Sequence, residues 1–483
     1  MSFRSTVIKS LAWKYLERLG TQGVSFVVSI LLARILMPED FGLIALLLVF
    51  VSLATVFIQT GFNTSLVQKK NADNLDFSTV LYTSLCIAFV FYAILFFAAP
   101  FIDEFFNAQT KLVPLVRVLG LIFPLGAINS VQGAYVSRNM MFKKLFYRSI
   151  GAVIPSGLLG VVVAYMGYGV WALVVQHLSN ALLVCIIMWF TVKWRPQFIF
   201  SFERLRGLWG YGWKILCSAL LDSAYDNLRN LVIGKMFSPA DLGFYNRGNQ
   251  FPNLIITNLN NSIQSVLLPS LSTFQDDRAK LKMMARRSIV TSCFLILPLM
   301  AGLAAVAKPL TLVILGEKWL PAVPFIQICC FSYAFWPIHT TNLTAINSVG
   351  RSDIFLKLEI IKKAYGLAVL AFAIYAFRSP IGIAMSAAVT APLGGLVNAQ
   401  PNKKLLNYGY MEQIKDILPS FTLSALMGIG VYTLSNVIAL PAIAQLPLLF
   451  VIGAAFYLLA ARLLHLECFD YLMNMVKDYR RTK

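Results

Sequence analysis

Charge is scarce in this chain. Of 483 residues only 13% are Asp, Glu, Lys or Arg, and just 21 are acidic against 41 basic. A soluble globular domain carries about 25% charged residues, and with 58% of the sequence apolar a soluble core is excluded. Histidine occurs three times and cysteine seven. The cysteines (Cys86, Cys185, Cys217, Cys293, Cys329, Cys330, Cys468) are scattered, mostly through apolar runs. That spacing makes neither a disulfide framework nor a metal site, so they read as small apolar residues. No glycine-rich phosphate loop is present, which argues against ATP use within the chain. No basic soluble domain is present either, so the formal charge of +20 does not indicate nucleic acid.

What is abundant is apolar sequence of membrane length. Runs at 150–166, 172–192, 289–315 and 446–464 each approach the ~20 residues that a bilayer requires. The first run follows Arg4 and Lys9 and lacks a small-residue cleavage site, so it reads as a retained helix. Most of the Lys and Arg residues fall on alternate connections and at both ends, the asymmetry of cytoplasmic loops. The expected architecture is an all-α polytopic membrane protein of about fourteen transmembrane helices with both termini cytoplasmic. The segment 197–208, with Phe198, Phe200, Phe202 and Leu205 between polar residues, is expected as an amphipathic piece on the inner surface.

The seventh span, residues 213–236, carries Asp222, Asp226 and Arg229 at i, i+4 and i+7, on one face. A charge at that depth costs roughly 2.5–3.5 kcal/mol on insertion scales, so such residues face a bundle interior or a wet cavity. The eighth span, 245–268, repeats the message with Arg247, Gln250, Asn253, Thr257 and Asn261 along one stripe. Gln59 and Asn63 on the second span, Arg117 on the fourth, and His339 and Thr340 on the tenth complete the set of polar positions inside apolar helices.

The chain also resembles itself at an offset of about 200 residues, the signature of two related halves. Trp13-Lys14 matches Trp213-Lys214; Pro38, Asp40 and Gly42 match Pro239, Asp241 and Gly243; Phe123-Pro124 matches Trp336-Pro337. Matched positions share their sidedness, which implies a parallel repeat of six helices plus six. The expected divisions are residues 1–196, 197–404, two further spans at 405–464 and a cytoplasmic tail at 465–483. A cavity between the halves, lined by the polar stripes and opening to either side in turn, follows from that arrangement.

Three strings carry a family likeness: Leu32-Ala33-Arg34-Ile35-Leu36-Met37-Pro38-Glu39-Asp40-Phe41-Gly42, Gly61-Phe62 with Leu66-Val67-Gln68-Lys69-Lys70, and Leu315-Gly316-Glu317-Lys318-Trp319. In these the chain resembles the polysaccharide-exporter branch of the multidrug, oligosaccharidyl-lipid and polysaccharide (MOP) flippase superfamily. This is the Wzx-type family of colanic-acid exporters and lipopolysaccharide O-unit flippases. The resemblance implies a bacterial inner-membrane protein, not an enzyme, that moves an undecaprenyl-diphosphate-linked oligosaccharide to the outer leaflet for surface polysaccharide synthesis. It also implies alternating access, a coupling proton or sodium ion in place of a cofactor, and partners among membrane lipid and the polysaccharide polymerase and export machinery.

The site assignments rest on the residues themselves. Arg229, Arg247 and Arg117 are candidates for the anionic part of the substrate, because a guanidinium offers a planar fork to a diphosphate. Against that, Arg229 could neutralise Asp226, while Arg247 and Arg117 could reach the outer interface. Asp222 and Asp226 are candidates for ion coupling, with a fixed ion pair as the other reading. His339 reads as a packing histidine or a lining residue, and the amides as cavity lining or interhelical glue. Two rival functions remain: a cation-coupled multidrug or toxin antiporter of the same superfamily, and a membrane glycosyltransferase or polymerase. Helices 13 and 14 weigh against the first, and the short outer connections against the second.

Overall fold

The computed structural model describes residues 3–69, 71–106, 112–275 and 277–481, with the side chains of 3–12, 60–64, 211, 214, 266 and 475–481 set aside. Among these residues the regular structure is helical throughout, without a strand. The chain forms two compact units, Met1–Gly243 and Phe244–Lys483. The first holds α1 (Phe3–Ile35), α2 (Pro38–Gln68), α3 (Asn74–Phe105), α4 (Leu112–Leu119), α5 (Ile122–Arg138), α6 (Phe142–Tyr165), α7 (Trp171–Thr191), α8 (Phe202–Met236) and the start of α9 (Pro239–Ser272). The second holds the rest of α9, then α10 (Arg278–Ala305), α11 (Ala307–Ile314), a 3-10 turn at Glu317–Ala322, α12 (Val323–Ala334) and α13 (Trp336–Ser348). It continues with α14 (Ser352–Phe377), α15 (Pro380–Leu405), α16 (Tyr410–Val437), α17 (Ala442–Leu463) and α18 (Glu467–Arg481).

Among the described residues, 12 helical segments are long and apolar enough to cross a membrane. The protein is a multi-pass membrane protein. The two helices expected as spans seven and eight, α8 with 35 residues and α9 with 34, are long enough but fall outside that apolar set. In the first unit α2 packs on α8 and α5, and α6 packs between α1 and α7. The repeat boundary expected at 196 and the packing boundary after Gly243 differ because α8 is held by α2.

The repeated Pro-x-Asp-x-Gly string is a helix start. In α2, Pro38 occupies the first helical position, where its missing N–H is no loss, and the Met37 N–H donates to Asp40 Oδ2 at 3.0 Å. Pro239 opens α9 in the same way, and the Ser238 N–H donates to Asp241 Oδ2 at 3.2 Å. The glycines meet: a Cβ on Gly42 would lie 1.6 Å from the Pro239 carbonyl oxygen, and one on Gly243 would lie 2.1 Å from that of Pro38. Only glycine permits this approach of backbone to backbone.

The matched prolines explain a feature that the sequence reading left out. Spans four and ten, expected as unbroken, are each interrupted, between α4 and α5 and between α12 and α13. Pro124 and Pro337 lack the N–H that would bond four residues back, so both helices break within a turn before them. The segment 197–208 divides: residues 192–201 lie outside any helix, with a bend at Phe198, and α8 begins at Phe202. The non-helical piece is held by the Gln197 N–H to Ser78 Oγ at 3.1 Å and the Ser201 N–H to Thr79 Oγ1 at 3.2 Å, both on α3. Those two buried hydroxyls satisfy backbone N–H groups that no helix ladder serves.

In the second unit α18 is tied to the bundle. Arg286 on α10 donates to both oxygens of Asp416 at 3.0 Å and to Glu467 at 2.8 and 3.1 Å, while Arg287 lies 3.4 Å from the Tyr471 ring. The bonds from Arg286 hold the Glu467 carboxyl below its usual range. A depressed carboxylate contributes stability that is present above its unfolded pKa, near ~4.3, and is lost as pH falls through the lower folded value. The effect is small, because the Glu467 side chain is 71% exposed. A nitroxide on the exposed Met473 should therefore be immobilised at neutral pH and gain a mobile component in acid below that range. Glu467→Gln should show the mobile component at both pH values; a pH-independent spectrum in the wild type would refute the tie.

Candidate functional site

The polar positions are built on a few helices, and each unit presents its own. In the first, α8 is fastened to α2: Asn227 Nδ2 donates to Ser52 Oγ at 3.1 Å, and a Cβ on Gly234 would stand 2.9 Å from Leu46 Cδ1. Leu216 and Ile233 are buried on α8. Asp222 and Asp226 point outward and are exposed, as their spacing requires, and the Arg229 guanidinium lies 5.9 Å from the Tyr225 ring centroid. The helix therefore has one face for packing and another carrying two carboxylates and a guanidinium. A membrane-length helix with such a face is stable where water or a polar ligand solvates it.

Two other candidates in this unit are engaged differently. Arg117 on α4 lies 4.2 Å from the Phe96 ring centroid and its Nε donates to the Phe96 carbonyl at 3.3 Å, which pins α4 to α3. Gln59 is half-buried on α2, with Nε2 3.2 Å from where a Cβ on Gly126 would stand. The side chain of Asn63 lies outside the described residues.

In the second unit the α9 stripe divides. Arg247 is buried, donates to Gln250 Oε1, and lies 5.8 Å from the ring centroid of Trp319, the last residue of the third family string. Further along, Asn253 and Asn261 are exposed, and Thr257 Oγ1 donates to Asn253 Oδ1 at 2.9 Å. Thr340 on α13 reaches α9 by donating to the buried Asn260 Oδ1 at 2.7 Å. Its neighbour His339 turns the other way, onto α15. The ring nitrogens lie 2.8 Å from the Ala391 carbonyl and 3.2 Å from Asn398 Nδ2. A Cβ on Gly394 would stand 2.5 Å from the ring. The structure thus brings Thr340 to α9, at the buried Asn260 rather than at a residue of the expected stripe, and turns His339 toward α15.

Several buried polar groups escaped the sequence reading. Asn342, Asn402 and Gln413 form a closed amide network between α13, α15 and α16, with Asn342 Oδ1 accepting at 2.6 and 2.9 Å. The i, i+4 pair Asn398 and Asn402 in an apolar helix was the available signal. Glu17 on α1 accepts from Ser149 Oγ at 2.6 Å and lies 4.0 Å from Arg148. Arg148 is the seventh residue of α6. Asp76, also unremarked, is fully buried and takes Lys69 at 2.6 Å and Arg204 at 3.7 Å. Among the described residues no cluster of His, Cys, Asp and Glu is placed to hold a metal ion.

Comparison with known proteins supplies the context. A family model described as polysaccharide biosynthesis protein matches residues 31–324. The chain is 27% identical over 365 residues to the succinoglycan biosynthesis transport protein ExoT of Rhizobium meliloti (strain 1021), covering 74% of this chain and 72% of that protein. It is 24% identical over 427 residues to the lipopolysaccharide biosynthesis protein WzxC of Escherichia coli (strain K12), covering 87% and 83%. Among solved structures, its fold matches that of the lipid II flippase MurJ in an inward closed conformation. The TM-score is 0.76 at 13% identity, over 94% of this chain and 98% of the other.

Proposed function

The chain belongs to the polysaccharide biosynthesis protein family, and from that premise we propose that it is a flippase. It moves an undecaprenyl-diphosphate-linked oligosaccharide from the inner to the outer leaflet of a bacterial inner membrane by alternating access, for surface polysaccharide synthesis. It is a transporter and not an enzyme, with both termini cytoplasmic. The observation that carries the reading is α8: a helix of membrane length, packed on α2, whose other face exposes Asp222 and Asp226 and carries the half-buried Arg229. A purely structural membrane helix has no use for two exposed carboxylates and a guanidinium at mid-length. The naming of relatives for succinoglycan transport and lipopolysaccharide biosynthesis supports the substrate class.

Within that reading Arg229 is the foremost candidate for the anionic group. Arg247 and Arg117 would have to leave Trp319 and Phe96 to join it. Asp222 and Asp226 are the coupling carboxylates, taking a proton or sodium ion. Gln59, Asn63, Gln250, Asn253, Thr257, Asn261 and Thr340 offer amides and hydroxyls to sugar hydroxyls, with His339 behind them. The polysaccharide polymerase and export machinery are the onward partners.

The test is transport of a fluorescent lipid-linked oligosaccharide in proteoliposomes, read by loss of access to an impermeant sugar-oxidising reagent. Wild-type protein should move it, and Arg229→Ala should slow it about tenfold, the loss of one charge-assisted contact. Asp222→Asn and Asp226→Asn should change the dependence on a pH or sodium gradient. Efflux of a cationic dye without oligosaccharide movement would replace the flippase by the antiporter.

A further inference from the structure

The inner third of α8 carries a second polar and apolar pattern, distinct from the charged stripe. Arg206, Trp209, Gly210, Trp213, Leu216 and Cys217 line an open groove of about 420 Å³. Their spacing of three and four residues makes one stripe running up the helix. From Cys217 to Asp222 is five residues, about 140° around the helix, so the carboxylates face elsewhere. Leu208 is buried on the side of the helix away from the groove, and its carbonyl accepts from Ser65 Oγ at 3.3 Å, which fixes the groove to the unit; Leu216 forms the groove's buried floor.

The two arginines at the start of α8 differ. Arg204 lies 3.5 and 3.7 Å from Asp73 and Asp76, so its charge is committed. Arg206 is exposed and has no ion pair or hydrogen bond among the described residues. Beyond it Trp209 and Trp213 are 45% and 44% exposed, and Gly210 between them has open space where a Cβ would be. The apolar strip extends ~15 Å from the guanidinium. Gly210 leaves a notch between the two rings, and the free guanidinium at one end gives the groove a cationic head and an apolar body.

We propose that this groove binds the substrate's lipid carrier, with Arg206 holding the diphosphate and Trp209, Gly210, Trp213 and Leu216 the first units of a single prenyl chain. The guanidinium fork matches adjacent phosphate oxygens, and the Trp rings supply rigid apolar surface at the level where the headgroup meets the chain. The inference rests on the flippase reading for its orientation, which puts the start of α8 at the cytoplasmic face. It adds a loading site separate from the charged stripe.

Cys217 reports on the groove, because it is exposed there while Cys293, Cys329, Cys330 and Cys468 are buried. The wild-type protein is reconstituted in phosphatidylcholine vesicles and labelled with a maleimide. The rate at Cys217 is read by peptide mass spectrometry, and exposed Cys86 serves as internal control. Undecaprenyl diphosphate should slow Cys217 labelling saturably and leave Cys86 unchanged. Phosphatidylglycerol at the same mole fraction should not. Arg206→Ala should raise the concentration needed at least about tenfold, with Arg206→Lys intermediate. Equal protection by the two lipids would mean ordinary lipid contact, and no protection would mean an empty groove; either overturns the proposal. Transport measured in the same vesicles separates the two readings. Protection without transport defeats the flippase, whereas transport without protection defeats the groove alone.

Discussion

Replacing Gly42 by alanine should cost about 3 kcal/mol of stability and lower transport at least tenfold, the upper end of what overpacking does. The new methyl carbon would stand 1.6 Å from the Pro239 carbonyl oxygen and 3.1 Å from the Gly243 nitrogen. Both obstacles are backbone, held at helix starts by Pro, by Asp40 and by Asp241, so neither can swing aside as a side chain would. The starts of α2 and α9 must separate by more than an ångström. Gly243→Ala should behave alike from the other side, because its methyl would meet the Pro38 carbonyl at 2.1 Å. Gly23→Ala in α1 is the control: nothing lies within 4 Å of its Cβ, and alanine gains helix propensity. Thermal unfolding in detergent ranks the three. A Gly42→Ala protein as stable as Gly23→Ala would show that the crossing yields freely. Should stability fall while a cysteine at exposed Met37 keeps its labelling rate, the glycines serve packing alone.

The second large loss is expected at Asn342. Its Nδ2 donates to Gln413 Oε1 at 2.8 Å and to the Ile338 carbonyl at 2.9 Å, and its Oδ1 accepts from Asn402 and Gln413. Truncation to alanine strips a partner from two buried amides at once. Average interhelical hydrogen bonds in membranes are worth only ~0.6 kcal/mol, but an orphaned buried group costs about 1–3 kcal/mol. The network has little to fall back on: Gln413 Nε2 retains the Tyr408 carbonyl at 3.3 Å and Asn402 Nδ2 the Asn342 carbonyl at 3.2 Å. Asn342→Ala should therefore lose about 2–3 kcal/mol. Asn436→Ala, an exposed amide bonded only within its own helix, should change stability by less than ~0.5 kcal/mol. Equal losses for the two would mean that water repairs the network.

Much of the fold was legible because membrane helices announce themselves by length and apolarity. The halves were legible because Pro-x-Asp-x-Gly performs the same task at α2 and α9. What escaped was contact between side chains far apart in sequence. Arg247 and Trp319 each drew attention separately, one as an anion ligand and the other as part of a family string, yet they are neighbours. His339 and Thr340 are neighbours in sequence and part company in space, because adjacent residues on a helix lie 100° apart. Arg148 shares a basic cluster with Lys143 and Lys144, which resembles a cytoplasmic loop by charge alone, yet all three lie in the first turns of α6. The helix breaks before Pro124 and Pro337 were readable from the prolines themselves, but apolarity continued across them and masked the interruption.

The fastening of α18 bears on the order in which the chain is made. Arg286 and Glu467 are separated by 181 residues, so at ~5–20 residues per second the arginine waits roughly 10–40 s for its partner to be synthesised. Asp416 follows the arginine by 130 residues and is the first of its two carboxylates to become available. Cys468 then closes the cluster of Phe294, Met427 and Tyr457. A contact begun by Arg286 is thus completed only when α18 leaves the ribosome, and a stop codon before residue 467 would strand the second unit one step short of it.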